Sequence, residues 1–123
     1  MEHVLEQSLA RLPKARLVVC VSLDTGFVLG HSQTAYETEA PDPEALGRSA
    51  VGLFQDIRFP PDDVPEAGDG LNEALVAGPD LATIFLRCQN REAAVAYAVA
   101  RDSDLGLALA TSRLTLPEIE AEI

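Results

Sequence analysis

Asp24-Thr25-Gly26 follows an apolar strand-like run, Leu17 to Leu23. That pattern could do chemistry. Two such aspartates, one from each of two chains, can share a proton and activate water when they sit together on a dimer axis. The simpler reading is a hairpin turn that uses Asp and Gly for their backbone preferences. His3 and His31 are the only histidines and have no converging ligands in the sequence, so no metal site is expected. Cys20 and Cys88 lack zinc-type spacing. They read as two buried thiols in a reducing compartment, with a disulfide allowed by their number alone. Ser22 and Ser32 have no G-x-S-x-G context. Asp62, Asp63, Glu66 and Asp69 lack the order of a calcium loop. They read as a solvated loop, with contact to a basic partner as the lesser reading. Gly26 and Gly30 make no dinucleotide fingerprint, because no helix opens there.

The elements that would carry these residues are legible as alternating segments. Residues 2–12 read as a helix, with Val4, Leu5, Leu9 and Leu12 at helical spacing and Pro13 as its stop. The strand over 17–23 is apolar on both faces, as a strand covered on both sides should be. Gly26 supplies the positive φ of a tight turn, and residues 27–33 return. After a polar connection over 34–41, Asp42 and Pro43 open a second helix to Ile57, which should end before Pro60-Pro61. Its face of Leu46, Ala50, Leu53, Phe54 and Ile57 reads as core. A Pro-, Gly- and acid-rich loop over 60–70 follows. Three strands over 71–77, 82–88 and 92–100 then have joins short enough for an antiparallel meander. In the last strand Ala94, Ala96, Ala98 and Ala100 share one face, which lets a helix approach the sheet closely. Alanine also favours helix, but the preceding turn and strict alternation decide for strand. Asp102-Ser103-Asp104 caps a last helix through Ser112, with a second helical piece after a break at Pro117.

The expected fold is one α/β (α+β) domain spanning 1–123. It has a five-stranded antiparallel sheet with helices on both faces, in the order α-β-β-α-β-β-β-α. A chain of 123 residues is long enough for one core. A net charge of −11, with Lys14 the only lysine, argues against nucleic acid and anionic membrane surfaces as partners. No signal-peptide pattern or bilayer-length apolar run is present, so a cytoplasmic location without membrane insertion is expected.

The element order resembles the Roadblock/LC7 family, also called profilin-like. So do the run Val18 to Ser32 with its GFVLGHS, the string LGRSAVGLF from Leu46 to Phe54, and VARDSDLGLAL near the end. The resemblance implies no catalysis and no cofactor. It implies a homodimer, or a dimer with a paralogous Roadblock domain, in which the middle helix and third strand of each subunit meet. Here those are residues 43–57 and 71–77. It also implies a Ras-like small GTPase as partner, in the manner of bacterial members. The Arg-rich, Lys-poor composition fits a GC-rich bacterial genome. No GxxxxGK[ST] phosphate loop is present, so the chain is not expected to be the GTPase. The candidate interface is the small-residue flank Ala45, Arg48, Ser49, Gly52 and Gln55, with Leu71, Glu73 and Leu75 on the third strand. Two other functions compete. One is a sensor holding a small molecule against the sheet. The other is a dimeric, retroviral-type aspartic protease built on Asp24. Against the protease, Phe27 follows the Gly where a small residue is usual, and no later apolar-Gly-Arg-Asp/Asn segment occurs.

Overall fold

The computed structural model describes residues 1–34, 42–56 and 72–123. The elements are α1 (Glu2–Arg11), β1 (Ala15–Ser22), β2 (Val28–Gln33), α2 (Pro43–Asp56), β3 (Glu73–Ala77), β4 (Leu81–Arg87), β5 (Ala93–Ala100) and α3 (Leu105–Glu120). The expected order is the observed one. All five strands form one antiparallel sheet in the spatial order β2-β1-β5-β4-β3. The expected loops over 35–41 and 60–70, with Ile57 and Leu71, lie outside the described residues.

The sheet has a core on each face. Val18, Cys20, Val95, Tyr97 and Val99 point toward α1 and α3, where Leu5, Leu9 and Ile119 meet them. Leu17, Val19, Val21, Ala94, Ala96 and Ala98 point the other way, under Leu46, Ala50 and Phe54 of α2. The alanine face of β5 thus lies beneath a helix, as its small side chains require. β1 and β5 are buried on both faces and hold the middle of the sheet.

Local chemistry sets the ends of the elements. Gly26 takes φ +82 in the β1–β2 turn, where a side chain would be strained. Ser22 donates its N–H to the Phe27 carbonyl at 2.9 Å, and Gly26 donates to the Ser22 carbonyl at 2.8 Å. Pro43 opens α2, and the Leu46 N–H donates to the Asp42 carbonyl at 3.0 Å. Asp104 caps α3 by accepting from the Leu107 N–H at 3.0 Å.

Two expectations are corrected. Cys88 lies just past β4, which ends at Arg87. The expected break at Pro117 is absent, and α3 runs on through it to Glu120. Proline removes one N–H and crowds the carbonyl four residues earlier. The last turn persists because Ile119 is fully buried against α1 and the sheet. The Ala121 N–H also closes back on the Pro117 carbonyl at 3.0 Å.

A buried hydroxyl cluster joins three elements on the α1/α3 side. Tyr97 of β5 is hydrogen-bonded to Ser8 of α1 and, at 3.1 Å, to Thr115 of α3. The Ser8 hydroxyl also donates to Thr115 at 3.1 Å. Each polar group buried there has a partner, which removes the cost of desolvating it.

Candidate interaction surface

Among the described residues β3 ends the sheet on one side. It pairs with β4 in unbroken register from Glu73↔Leu86 to Ala77↔Ala82. The Arg87 N–H donates to the Asn72 carbonyl, and the Gly78 N–H to the Leu81 carbonyl, both at 2.8 Å. Antiparallel pairing alternates, so the backbone groups of Ala74 and Val76 also turn inward to β4. Those of Glu73, Leu75 and Ala77 therefore face away from β4, on a side where the described residues place no further strand. Leu75 is 44% exposed and Val76 51% exposed.

The side chains of β3 divide between the two faces of the sheet. Glu73 and Leu75 stand opposite Leu86 and Ile84, which belong to the α1/α3 core. Ala74 packs into the α2 core, so Val76 shares its face. Arg113 of α3 grips Glu73 through both carboxylate oxygens, with Nε donating to Oε2 at 2.9 Å. The Arg113 guanidinium holds the Glu73 carboxyl below its usual range and is itself pushed up by the pair. The expected interface residue Glu73 is thus also a tether between α3 and the edge strand.

The small-residue flank of α2 is exposed at Arg48, Ser49 and Gln55 and half-buried at Ala45 and Gly52. The structure splits this flank. Gln55 reaches back to the Leu23 carbonyl. Arg48 lines a surface recess of about 530 Å³ with Gly26, Phe27, Val28 and Glu44. Both therefore lean toward the β1–β2 hairpin. Ala45, Ser49 and Gly52 face outward, and the Ser49 hydroxyl donates to the Ala45 carbonyl at 3.1 Å. α2 lies mainly over β1, β5 and β2. Its flank and β3 are thus separate patches, with Val76 on the face they share. Val76 is not among the interface residues expected from the sequence. Its alternation with Leu75 was visible, but which of the two faced α2 depended on the register with β4.

A search of protein families finds no match to this chain, and none of the curated proteins matches it either. Solved structures do match. A Roadblock/LC7 domain from Streptomyces avermitilis superposes with a TM-score of 0.78 at 14% identity, covering 99% of this chain and 96% of that one. An MglB in a tetrameric arrangement gives 0.80 at 16% identity, covering 97% and 84%. The gliding protein MglB from Thermus thermophilus gives 0.73 at 18% identity, covering 98% and 88%. This chain has the Roadblock/LC7 fold. The likeness covers nearly the whole chain, and the element order inferred from the sequence is the order of that fold.

The other candidate residues stay apart within the Roadblock/LC7 framework. Asp24 is exposed at the tip of the β1–β2 hairpin. His3 is exposed on α1 and shares a 3.1 Å hydrogen bond with Gln7, while His31 is exposed on β2. Among the described residues no group of three or more His, Cys, Asp or Glu is placed to hold a metal. Ser22 accepts from the Thr25 N–H at 3.2 Å, as a turn residue does. Cys20 and Cys88 are buried free thiols in the α1/α3 core. Burial pushes Cys20 up to about 11 and Cys88 up to about 12, which makes both poor nucleophiles. Among the described residues no helix is long and apolar enough to cross a membrane.

Proposed function

We propose that this chain is a non-catalytic, dimeric scaffold or regulatory domain of the cytoplasm that binds a Ras-like small GTPase or a related signalling partner. The observation that carries the reading is the β3 edge. It presents outward backbone groups at Glu73, Leu75 and Ala77 beside two exposed aliphatic side chains. Such an edge is a template for another strand. In a two-fold pair centred on Leu75, Glu73 would stand opposite Ala77 of the second copy and the two sheets would become one. Val76 and the outward face of α2 at Ala45, Ser49 and Gly52 would then close on the second copy from one side. The tetrameric MglB among the similar structures supports self-association for this fold.

The same geometry weighs against the aspartic protease. Across a continuous sheet, seven strand spacings would separate the two β1 strands, about 34 Å. Two carboxylates that share a proton must be about 3 Å apart. The sensor reading has little to stand on, because helices already cover both faces of β1 and β5.

Sedimentation velocity at micromolar concentration tests the dimer, and a strict monomer overturns it. Capture of a Ras-like GTPase encoded beside this gene tests the partner. A dimer that captures none in either nucleotide state overturns that half alone.

A further inference from the structure

At one end of the sheet, where β1 begins and β2 stops, Leu12, Lys14, Ala15, Arg16 and Thr34 line a recess of about 580 Å³. That volume is in the range of small-ligand sites. The helices cover the faces of the sheet, and this recess lies at its end instead. Lys14 has φ +55, the one positive value at a non-glycine among the described residues. Glycine would adopt that conformation without strain, and strained residues gather where a ligand is held. The Ala100 N–H fixes the backbone there by donating to the Lys14 carbonyl at 3.0 Å.

Thr34 supplies a second irregularity. Its Oγ1 is buried and has no hydrogen-bond partner among the described residues. A buried hydroxyl normally has one, from the protein or from a bound molecule. The charge on the lining is the third. Lys and Arg number 9 against 20 Asp and Glu, yet the described lining holds two bases and no carboxylate. Arg11 in the last turn of α1 already complements the helix C-terminus, so Lys14 and Arg16 are not needed for that. Lys14 meets Asp102 at 3.2 Å, with both side chains more than half exposed. Such a pair is weak, and an ammonium has three donors, so Asp102 leaves Lys14 able to hold a second anion.

We infer that this recess binds a small carboxylate with an aliphatic tail. The carboxylate would lie against the Lys14 ammonium and the Arg16 guanidinium, and the Thr34 hydroxyl would donate to it. That bond gives the buried oxygen its missing partner. The tail would lie on Leu12 and Ala15, the apolar part of the wall. An inorganic anion would leave that part of the wall unused. β5 and β4 separate β1 from the β3 edge, so the inference does not depend on the proposed dimer.

The test titrates the full chain with octanoate by calorimetry at physiological salt. Octanamide keeps the tail without the charge, and acetate and inorganic phosphate keep a charge without the tail. Octanoate should bind, and each of the other three should bind about tenfold more weakly or not at all. Arg16→Gln should weaken octanoate about fivefold or more. Arg91→Gln, at the opposite end of β5, should leave it unchanged. Lys14→Gly separates binding from folding. Glycine takes φ +55 without strain, so this variant should keep a denaturation midpoint at or above that of wild type. It should still lose octanoate affinity about tenfold. No octanoate binding, equal binding of octanamide or phosphate, or full affinity in folded Lys14→Gly overturns the inference. So does an equal loss in Arg91→Gln, because the anion would then be held by the protein's charge at large.

Discussion

At β2 the sheet ends in a strand whose pairing slips between Val28 and Gly30, leaving Leu29 as an extra residue opposite β1. At β3 it ends in five residues in unbroken register. A bulge bends and twists an edge, which spoils it as a template. β2 also has a helix close upon it. A Cβ on Gly30 would come within 2.8 Å of the Met1 side chain and 3.1 Å of Leu5. β3 packs mainly on β4. Ala74 packs into the α2 core, and among the described residues the side-chain bond from β3 to a helix is the exposed Glu73–Arg113 pair. One edge is thus closed by shape and packing, and the other is straight, apolar and held in place by a surface ion pair. The difference makes β3 the edge at which the proposed pairing with a second copy is expected.

The largest effect is expected from proline at the open edge. Leu75→Pro removes an N–H that faces outward, so the β3–β4 ladder keeps its bonds. Dimer affinity should fall by about tenfold to a hundredfold, measured by sedimentation equilibrium. His31→Pro removes an outward N–H at the β2 edge and should leave the dimer intact. Equal effects of the two prolines would abolish the distinction between the edges.

Filling the closed edge comes next. Gly30→Val should push α1 off β2 and cost about 1–3 kcal/mol in chemical denaturation. Dimerisation should survive wherever the variant is folded. Loss of dimer in a folded Gly30→Val protein would move the interface to β2.

A smaller change separates the tether from the edge. Glu73→Gln should cost less than about 1 kcal/mol, because the pair is exposed and screened. The sign of its pH dependence follows from the lowered Glu73 carboxyl. The contribution is fully present above the ordinary carboxylate range and is lost as pH falls through the lowered value. Wild type should therefore lose its small advantage over Glu73→Gln in acid, as read from denaturation midpoints.

The smallest effect at neutral pH concerns the α1/α3 core rather than the sheet edges. Cys20 and Cys88 should resist a disulfide-exchange reagent in the native protein and react on addition of urea. Both thiols are raised by burial, so the fold favours their neutral forms. Stability should be unaffected below the ordinary thiol value of 9.0 and should fall as pH rises from there toward about 11 and 12. Fast native labelling at neutral pH would show that the α1/α3 core opens as readily as the sheet edges.

The features legible in the residues alone were mostly local. Asp24-Thr25-Gly26 dictated a turn, because only Gly26 takes φ +82 without strain. Pro43 marked a helix start, and the alternation of Ala94 to Ala100 against Val95, Tyr97 and Val99 dictated a two-faced strand. The order of elements was legible too, from apolar runs separated by turn residues, and it is that order which resembles the Roadblock/LC7 family. Tertiary structure decided what depends on distant neighbours. Pro117 stays helical because Ile119 is anchored in the core. Ser8, Tyr97 and Thr115 meet only when α1, β5 and α3 assemble. The pairing of β1 with β5, residues some eighty apart in sequence, leaves β3 at the edge, and its register with β4 turns Leu75 and Val76 to opposite faces. A strand carries its alternation in its own residues, but which face is inward and which edge is open are properties of the partner it finds.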